Sequence, residues 1–225
     1  MKSMTPIRDL TAAARAGLSG SWGKSIGVTM VYIILSISIS LLPFAGKLLQ
    51  LIFAAPLMVG ATVYFLATIR RQNNRFSLMF DGFNRFGTAF CTYLLVLLIT
   101  LAWMIPFIIL TVAVTVLTHS SPDSSRWAFW TILFLIMLAV MIPIQMRYGL
   151  ALYVVADDPS VRARQAIRRG IELMSGNYWR LGLLWLRFIG WQLLAVLTLG
   201  VGFIWLAPYY MASMTAFYDD LARNR

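Results

Sequence analysis

The sequence predicts an all-α, polytopic membrane protein with six transmembrane helices. They are arranged as three hairpins, each preceded by a short amphipathic helix in the cytoplasmic interface. Three observations predict this. Of 225 residues, 60% are hydrophobic and 12% charged, roughly half the charged share of a water-soluble domain, and mean hydropathy is +0.78. Six apolar stretches are long enough to cross a hydrocarbon core of about 30 Å, which takes roughly 17–25 helical residues. Basic residues collect in every second segment between those stretches.

Thr5-Pro6 reads as a helix N-cap and first helical position. Ile7, Leu10, Ala14 and Leu18 then share a face, with Arg8 and Arg15 elsewhere. The first membrane helix is expected from about Ser25 to Phe44. It exceeds the apolar core of a secretory signal and no small-residue cleavage site follows it, so it reads as retained. The second runs from about Leu48 to Ile69, and Phe76, Met79, Phe80 and Phe83 line another short amphipathic stretch. The third, about Thr88 to Leu117, carries Pro106, which predicts a kink or tilt. The fourth begins near Trp127 and passes Pro143 and Arg147.

Asp158-Pro159 repeats the helix-start signal, and Ala163, Ile167, Ile171 and Met174 then recur every three or four residues. Arg162, Arg164, Arg168 and Arg169 supply the polar side. The fifth membrane helix begins near Leu181 and the sixth ends near Tyr218. The uncharged run between them breaks at Thr198–Gly202, where two glycines permit a tight turn; one very long helix is the competing reading. The amphipathic stretches read as helices lying in the interface, with connectors packed on one another as the alternative.

The basic residues set the orientation. Lys2, Arg8, Arg15 and Lys24 precede the first membrane helix, and only Lys47 follows it. Arg70, Arg71, Arg75 and Arg85 lie between the second and third, and only Arg126 between the third and fourth. Arg162, Arg164, Arg168, Arg169 and Arg180 lie between the fourth and fifth; Arg223 and Arg225 end the chain. The positive-inside rule puts both termini in the cytoplasm. The same pattern accounts for the net charge of +11 without nucleic acid, because anionic lipid attracts juxtamembrane cations at about 1 kcal/mol each.

Three segments resemble one another: Leu18–Lys24, Phe80–Phe86 and Met174–Arg180. Each has a glycine, then aromatic and basic residues, before a pair of membrane helices. The second helix of each pair carries a proline (Pro56, Pro143, Pro208) and then a tyrosine (Tyr64, Tyr153, Tyr218). One integral membrane domain of three parallel repeat units, about 5–69, 71–156 and 159–221, is expected about an axis along the membrane normal. The alternative is that any interfacial helix entering a bilayer has this pattern.

Chemistry is sparsely signalled. Cys91 and His119 are the only residues of their kinds, which excludes an intrachain disulfide and a His/Cys metal cluster. No Ser/His/Asp set or phosphate-binding glycine loop is present, so no catalytic residue, metal or cofactor is expected. Asp157-Asp158 reads as a helix cap. Arg187 lies about seven residues, or roughly 10 Å along a helix, beyond Arg180, and Arg147 has a similar depth. An intramembrane arginine costs at least about 2.5 kcal/mol. These two are expected either to snorkel or pair with Asp219 or Asp220, or to line an anion or lipid-headgroup pocket with Gln145, Tyr148, Gln192, Tyr209 and Tyr210.

The last third carries a recognisable pattern. Val155–Pro159 is followed by Ala166–Asn177, then Phe188–Leu194, Trp205–Tyr210 and Phe217-Tyr218. It resembles the bacterial membrane proteins grouped as the domain-of-unknown-function 975 family, best from Ile142 to Leu221. Ser175 and Gly170 stand where that family often has Lys and Ser. The resemblance implies a six-helix protein of the bacterial inner membrane and brings no activity with it. The expected function is a non-enzymatic membrane scaffold or partner protein that binds anionic lipid through basic interfacial helices, with an unidentified membrane protein as partner. The alternative is a transporter or channel for a small or amphiphilic anion.

Overall fold

The computed structural model describes residues 5–43, 45–117 and 125–224. Phe44 and His119 lie outside them. The described residues form α1 (Ile7–Leu18), α2 (Trp22–Ser40), α3 (Gly46–Ile69), a 3-10 segment (Phe76–Phe80), α4 (Asp81–Asn84) and α5 (Phe86–Leu117). They continue as α6 (Ser125–Tyr148), α7 (Ala151–Asp157), α8 (Ala163–Met174), α9 (Tyr178–Leu197) and α10 (Phe203–Arg223). No strand occurs among the described residues.

Five helical stretches are long and apolar enough to cross a membrane: Trp22–Ser40, Gly46–Ile69, Phe86–Val116, Phe129–Asp157 and Tyr178–Leu197. The fourth continues from α6 into α7 through a bend at Gly149. Helix α10 has the length, at 21 residues, but three tyrosines, Pro208, Asp219 and Asp220 make it more polar than the other five. Between α9 and α10 the chain turns through Leu199 (φ 54°) and Gly200 (φ 88°). A left-handed backbone at two consecutive residues ends any helix there, so the single-helix reading of 188–218 does not hold.

The core sits where α3, α7 and α10 meet. The most apolar 18-residue stretch is 67% buried in α3 and not buried in α5, so α3 is the central helix, while α5 buries Ala89 and Thr92 near its start and exposes much of the rest. Helix α3 packs on α2, α7 and α10; α1 packs on α10, the 3-10 segment and α4 on α3, and α8 on α7. The faces that α1 and α8 turn to these neighbours are their apolar ones. Leu10, Ala14 and Leu18 are buried on α1, and Ala166, Ile167, Leu173 and Met174 on α8.

Several local expectations are corrected. Helix α1 starts at Ile7, but Pro6 takes the cap position without a side-chain bond, and the Thr5 hydroxyl instead donates to Asp220 Oδ1 at 2.6 Å. Helix α8 starts at Ala163, four residues past Pro159. Asp158 is occupied in the loop, where it accepts from the backbone N–H and hydroxyl of Ser160 at 3.0 and 2.6 Å. The stretch at 76–83 is a 3-10 segment plus one helical turn: of the four apolar residues expected to line it only Met79 is buried, while Phe76, Phe80 and Phe83 are exposed and pack on one another.

The cause of that last departure is backbone contact. A Cβ on Gly60 of α3 would run into the carbonyl oxygen of Met79, and one on Gly82 into that of Pro56. Gly82 therefore lies inside α4 against α3 and does not end a helix, whereas Gly20 (φ 82°) and Gly176 (φ 80°) take the left-handed conformation that follows a helix C-terminus. Overpacking typically costs about 1–3 kcal/mol, occasionally more. Gly60→Ala and Gly82→Ala should each lower stability by about 3 kcal/mol or more in thermal unfolding of the detergent-solubilised protein. Gly190→Ala, with no neighbour within 4 Å of the new methyl group, should leave it unchanged or raised.

Candidate functional site

The C-terminal ends of α3, α7 and α10 converge on one ion cluster. Arg70, which caps α3, donates from Nη1 to Asp157 Oδ1 at 2.5 Å and from Nε to Asp219 Oδ1 at 2.8 Å. Arg223 Nε pairs with the second oxygen of Asp219 at 2.8 Å, and the Tyr218 hydroxyl donates to Asp157 Oδ2 at 3.1 Å. The Asp219 side chain is only 7% exposed. Both acids stand near helix C-termini, where the macrodipole disfavours negative charge, and the arginines and the tyrosine offset that and hold them in place. In return Arg70 is pushed above its ordinary value, chiefly by its bond with Asp157.

Two more arginines act inside this end of the molecule. Arg85 donates from Nη1 to the carbonyls of Val155 and Ala156, which have no intrahelical partner in the last turn of α7. Arg180 reaches Asp220 Oδ2 at 2.9 Å, the Thr5 carbonyl at 2.7 Å and Asn177 Oδ1 at 3.3 Å, with the Phe217 ring 5.7 Å away. It thereby joins the residues just before α1, the start of α9 and the end of α10. At the surface Arg169 pairs with Asp158 at 2.7 Å and Arg168 with Glu172 at 3.0 Å. The Ser160 bonds, then Arg169, hold the Asp158 carboxyl below its ordinary value.

The expected interfacial basic residues thus divide. Arg70, Arg85 and Arg180 are internal ties. Arg8, Lys24, Arg71, Arg75, Arg162 and Arg164 are exposed, and no ion pair joins them to another of the described residues. Asp157 is not a helix cap, and Asp157, Asp219 and Asp220 are engaged by Arg70, Arg180 and Arg223, so pairing of Arg147 or Arg187 with Asp219 or Asp220 is not observed.

Arg147 and Arg187 are exposed on α6 and α9, as are Gln145 and Gln192, while Tyr148 is half-buried. Helices α6 and α9 touch, with the Met146 methyl group 3.6 Å from where a Cβ on Gly182 would stand. Tyr209 and Tyr210 both pack on Phe188, with ring centroids 5.2 and 5.1 Å apart. They open onto different cavities, one of about 330 Å³ at Tyr209 and one of about 120 Å³ at Tyr210. Neither cavity is lined by Arg147 or Arg187. The Tyr209 hydroxyl instead accepts from Arg15 Nη2 at 3.4 Å, a contact that sequence periodicity cannot supply because the two residues lie on helices far apart in the chain. Among the described residues no group of three His, Cys, Asp or Glu stands close enough to hold a metal ion.

The ion cluster makes a specific energetic demand. Removing one partner of a buried ion pair costs about 3–5 kcal/mol, less where solvent screens it, and Arg70 keeps 25% of its side chain exposed. Arg70→Met should therefore destabilise the protein by about 2–3 kcal/mol in thermal unfolding. Arg70→Lys should recover only part of this, since an ammonium cannot reproduce the planar fork that serves two carboxylates. Arg164→Met should be neutral.

No curated protein and no solved structure matches the chain. The family described as "Protein of unknown function (DUF975)" matches residues 4–225, essentially the whole chain, and the protein belongs to that family.

Proposed function

We propose that this protein is a non-enzymatic scaffold of the bacterial inner membrane, crossing it six times with both termini in the cytoplasm. Its charged end gathers anionic lipid and offers a docking surface to a membrane partner. The observation that carries this reading is the set of six exposed basic residues without acid partners, all at the end of the bundle that holds the ion cluster. At about 1 kcal/mol per residue near an anionic leaflet, six such residues favour phosphatidylglycerol or cardiolipin over zwitterionic lipid. Arg147 and Arg187 add two exposed cations on the lipid-facing side.

The sixth span is α10. Its support is that Asp220, near the end of α10, bonds with Thr5 ahead of α1 and with Arg180 at the start of α9. A chain with only five crossings would leave its termini on opposite sides. The three-hairpin repeat has support in the order of packing. The short helical segment that opens each unit lies on the second hairpin helix of the unit before it: the 3-10 segment and α4 on α3, α8 on α7 and α1 on α10. That order closes on itself as a threefold ring would.

Two measurements test the proposal. A cysteine at Arg164 should resist an impermeant thiol reagent in intact cells and react in inverted vesicles; reaction in intact cells would reverse the topology. Polymer nanodiscs cut from native membranes should be enriched in anionic lipid around the wild-type protein. Replacing Arg8, Lys24, Arg71, Arg75, Arg162 and Arg164 together by Gln should abolish that enrichment. Enrichment unaltered by the six replacements would remove the lipid-gathering role.

A further inference from the structure

The cavity of about 330 Å³ at Tyr209 differs in chemistry from the basic surface. Its walls are apolar and aromatic, with Trp22, Trp191, Leu194 and Trp205 among them. Thr198 and Gly202 close it at the α9–α10 turn, and Arg15 and Tyr209 stand at the end nearest α1. Trp191, Leu194 and Trp205 are each more than half exposed, so the groove opens sideways toward lipid.

Arg15 is the unusual group here. It is exposed, lies 5.7 Å from the Tyr209 ring centroid and donates to the Tyr209 hydroxyl at 3.4 Å. No ion pair to an acid is made by Arg15 among the described residues. A guanidinium at the head of an apolar groove costs free energy unless an anion meets it. A neighbouring aromatic face offsets only about 0.5–2 kcal/mol of that.

We infer that this groove holds one acyl chain of an anionic phospholipid, with the lipid phosphate on Arg15. Guanidinium suits phosphate because its planar fork donates two parallel hydrogen bonds, and the Tyr209 hydroxyl, which accepts from Arg15, has its own proton free to donate. A free anion makes no use of the apolar walls, and an uncharged amphiphile makes no use of Arg15. Tyr209 stands seven residues along α10 from Gly202, about 10 Å at 1.5 Å per residue. Half of a hydrocarbon core is about 15 Å, so the groove takes most of one tail. Moving a tail from bilayer to groove gains little, because both surroundings are apolar. Selection for this lipid therefore rests on Arg15 and Tyr209. The inference rests on the membrane setting proposed above, but not on the surface basic residues.

Native mass spectrometry of the full chain, delipidated in detergent and then supplied with phosphatidylglycerol or phosphatidylcholine, tests it. The wild-type protein should retain a single phosphatidylglycerol, at least tenfold more strongly than phosphatidylcholine. Arg15→Gln should lose that preference and Arg15→Lys should keep part of it. Leu194→Trp, which fills the groove and leaves the charge, should release the lipid. Ile109→Ala, on the outward face of α5, should behave as wild type. Each variant is compared only after its thermal unfolding midpoint matches wild type; should Arg15→Gln fail to fold, Arg15→Lys and Leu194→Trp decide. Equal retention of the two lipids by wild type overturns the inference. So does unchanged phosphatidylglycerol retention in Arg15→Gln or in Leu194→Trp. Failure of the surface reading shows separately, as nanodisc enrichment unaffected by the six surface replacements while this single lipid is still counted.

Discussion

The fold depends on the two bonds that Arg70 makes. Three helices end beside one another, and two of them end in carboxylates. Near helix C-termini those carboxylates face both a negative dipole and each other. A single guanidinium with two separately directed donors resolves the conflict, because Nε serves Asp219 while Nη1 serves Asp157. The central helix is thereby fastened to its two core neighbours by one side chain. Arg223 and Tyr218 take the remaining carboxylate oxygens.

Around that cluster, arginine performs three different tasks. Arg85 and Arg180 satisfy backbone carbonyls and one acid, so they act as structural ties between segments. Arg168 and Arg169 form exposed pairs with Glu172 and Asp158, and pairs of that kind contribute little to stability. The exposed set without acid partners is the part of the surface that the proposed lipid-gathering role uses. The net charge of the sequence does not distinguish these tasks; only the partner of each side chain does.

Packing of the short segments relies on absent side chains. Gly60 and Gly82 bring α3 and α4 into backbone contact, and Gly170 places α8 against the backbone at Leu150-Ala151, with a Cβ there standing 3.0 Å from the Ala151 nitrogen. In a membrane the hydrophobic effect offers little drive for one helix to leave lipid for another, so close approach through small residues supplies the dispersion contacts instead. The short segments α4 and α8 are held down this way.

The apolar runs of this protein were legible in the sequence because their length is set against a fixed bilayer thickness, a one-dimensional constraint. The turn at Thr198–Gly202 was legible for a similar local reason, since glycine there relieves a left-handed backbone. Family membership was legible from the pattern after Ile142. The tertiary structure alone decided which charges meet. Arg70 and Asp219 lie 149 residues apart, and Arg15 and Tyr209 lie 194 apart; no periodicity links such positions. It also decided that Thr5 and Asp158 serve partners other than a helix start, and that Phe76, Phe80 and Phe83 face outward. Local capping and amphipathic signals state what a segment can do alone, and a nearby charge or an opposing backbone decides what it does in the fold.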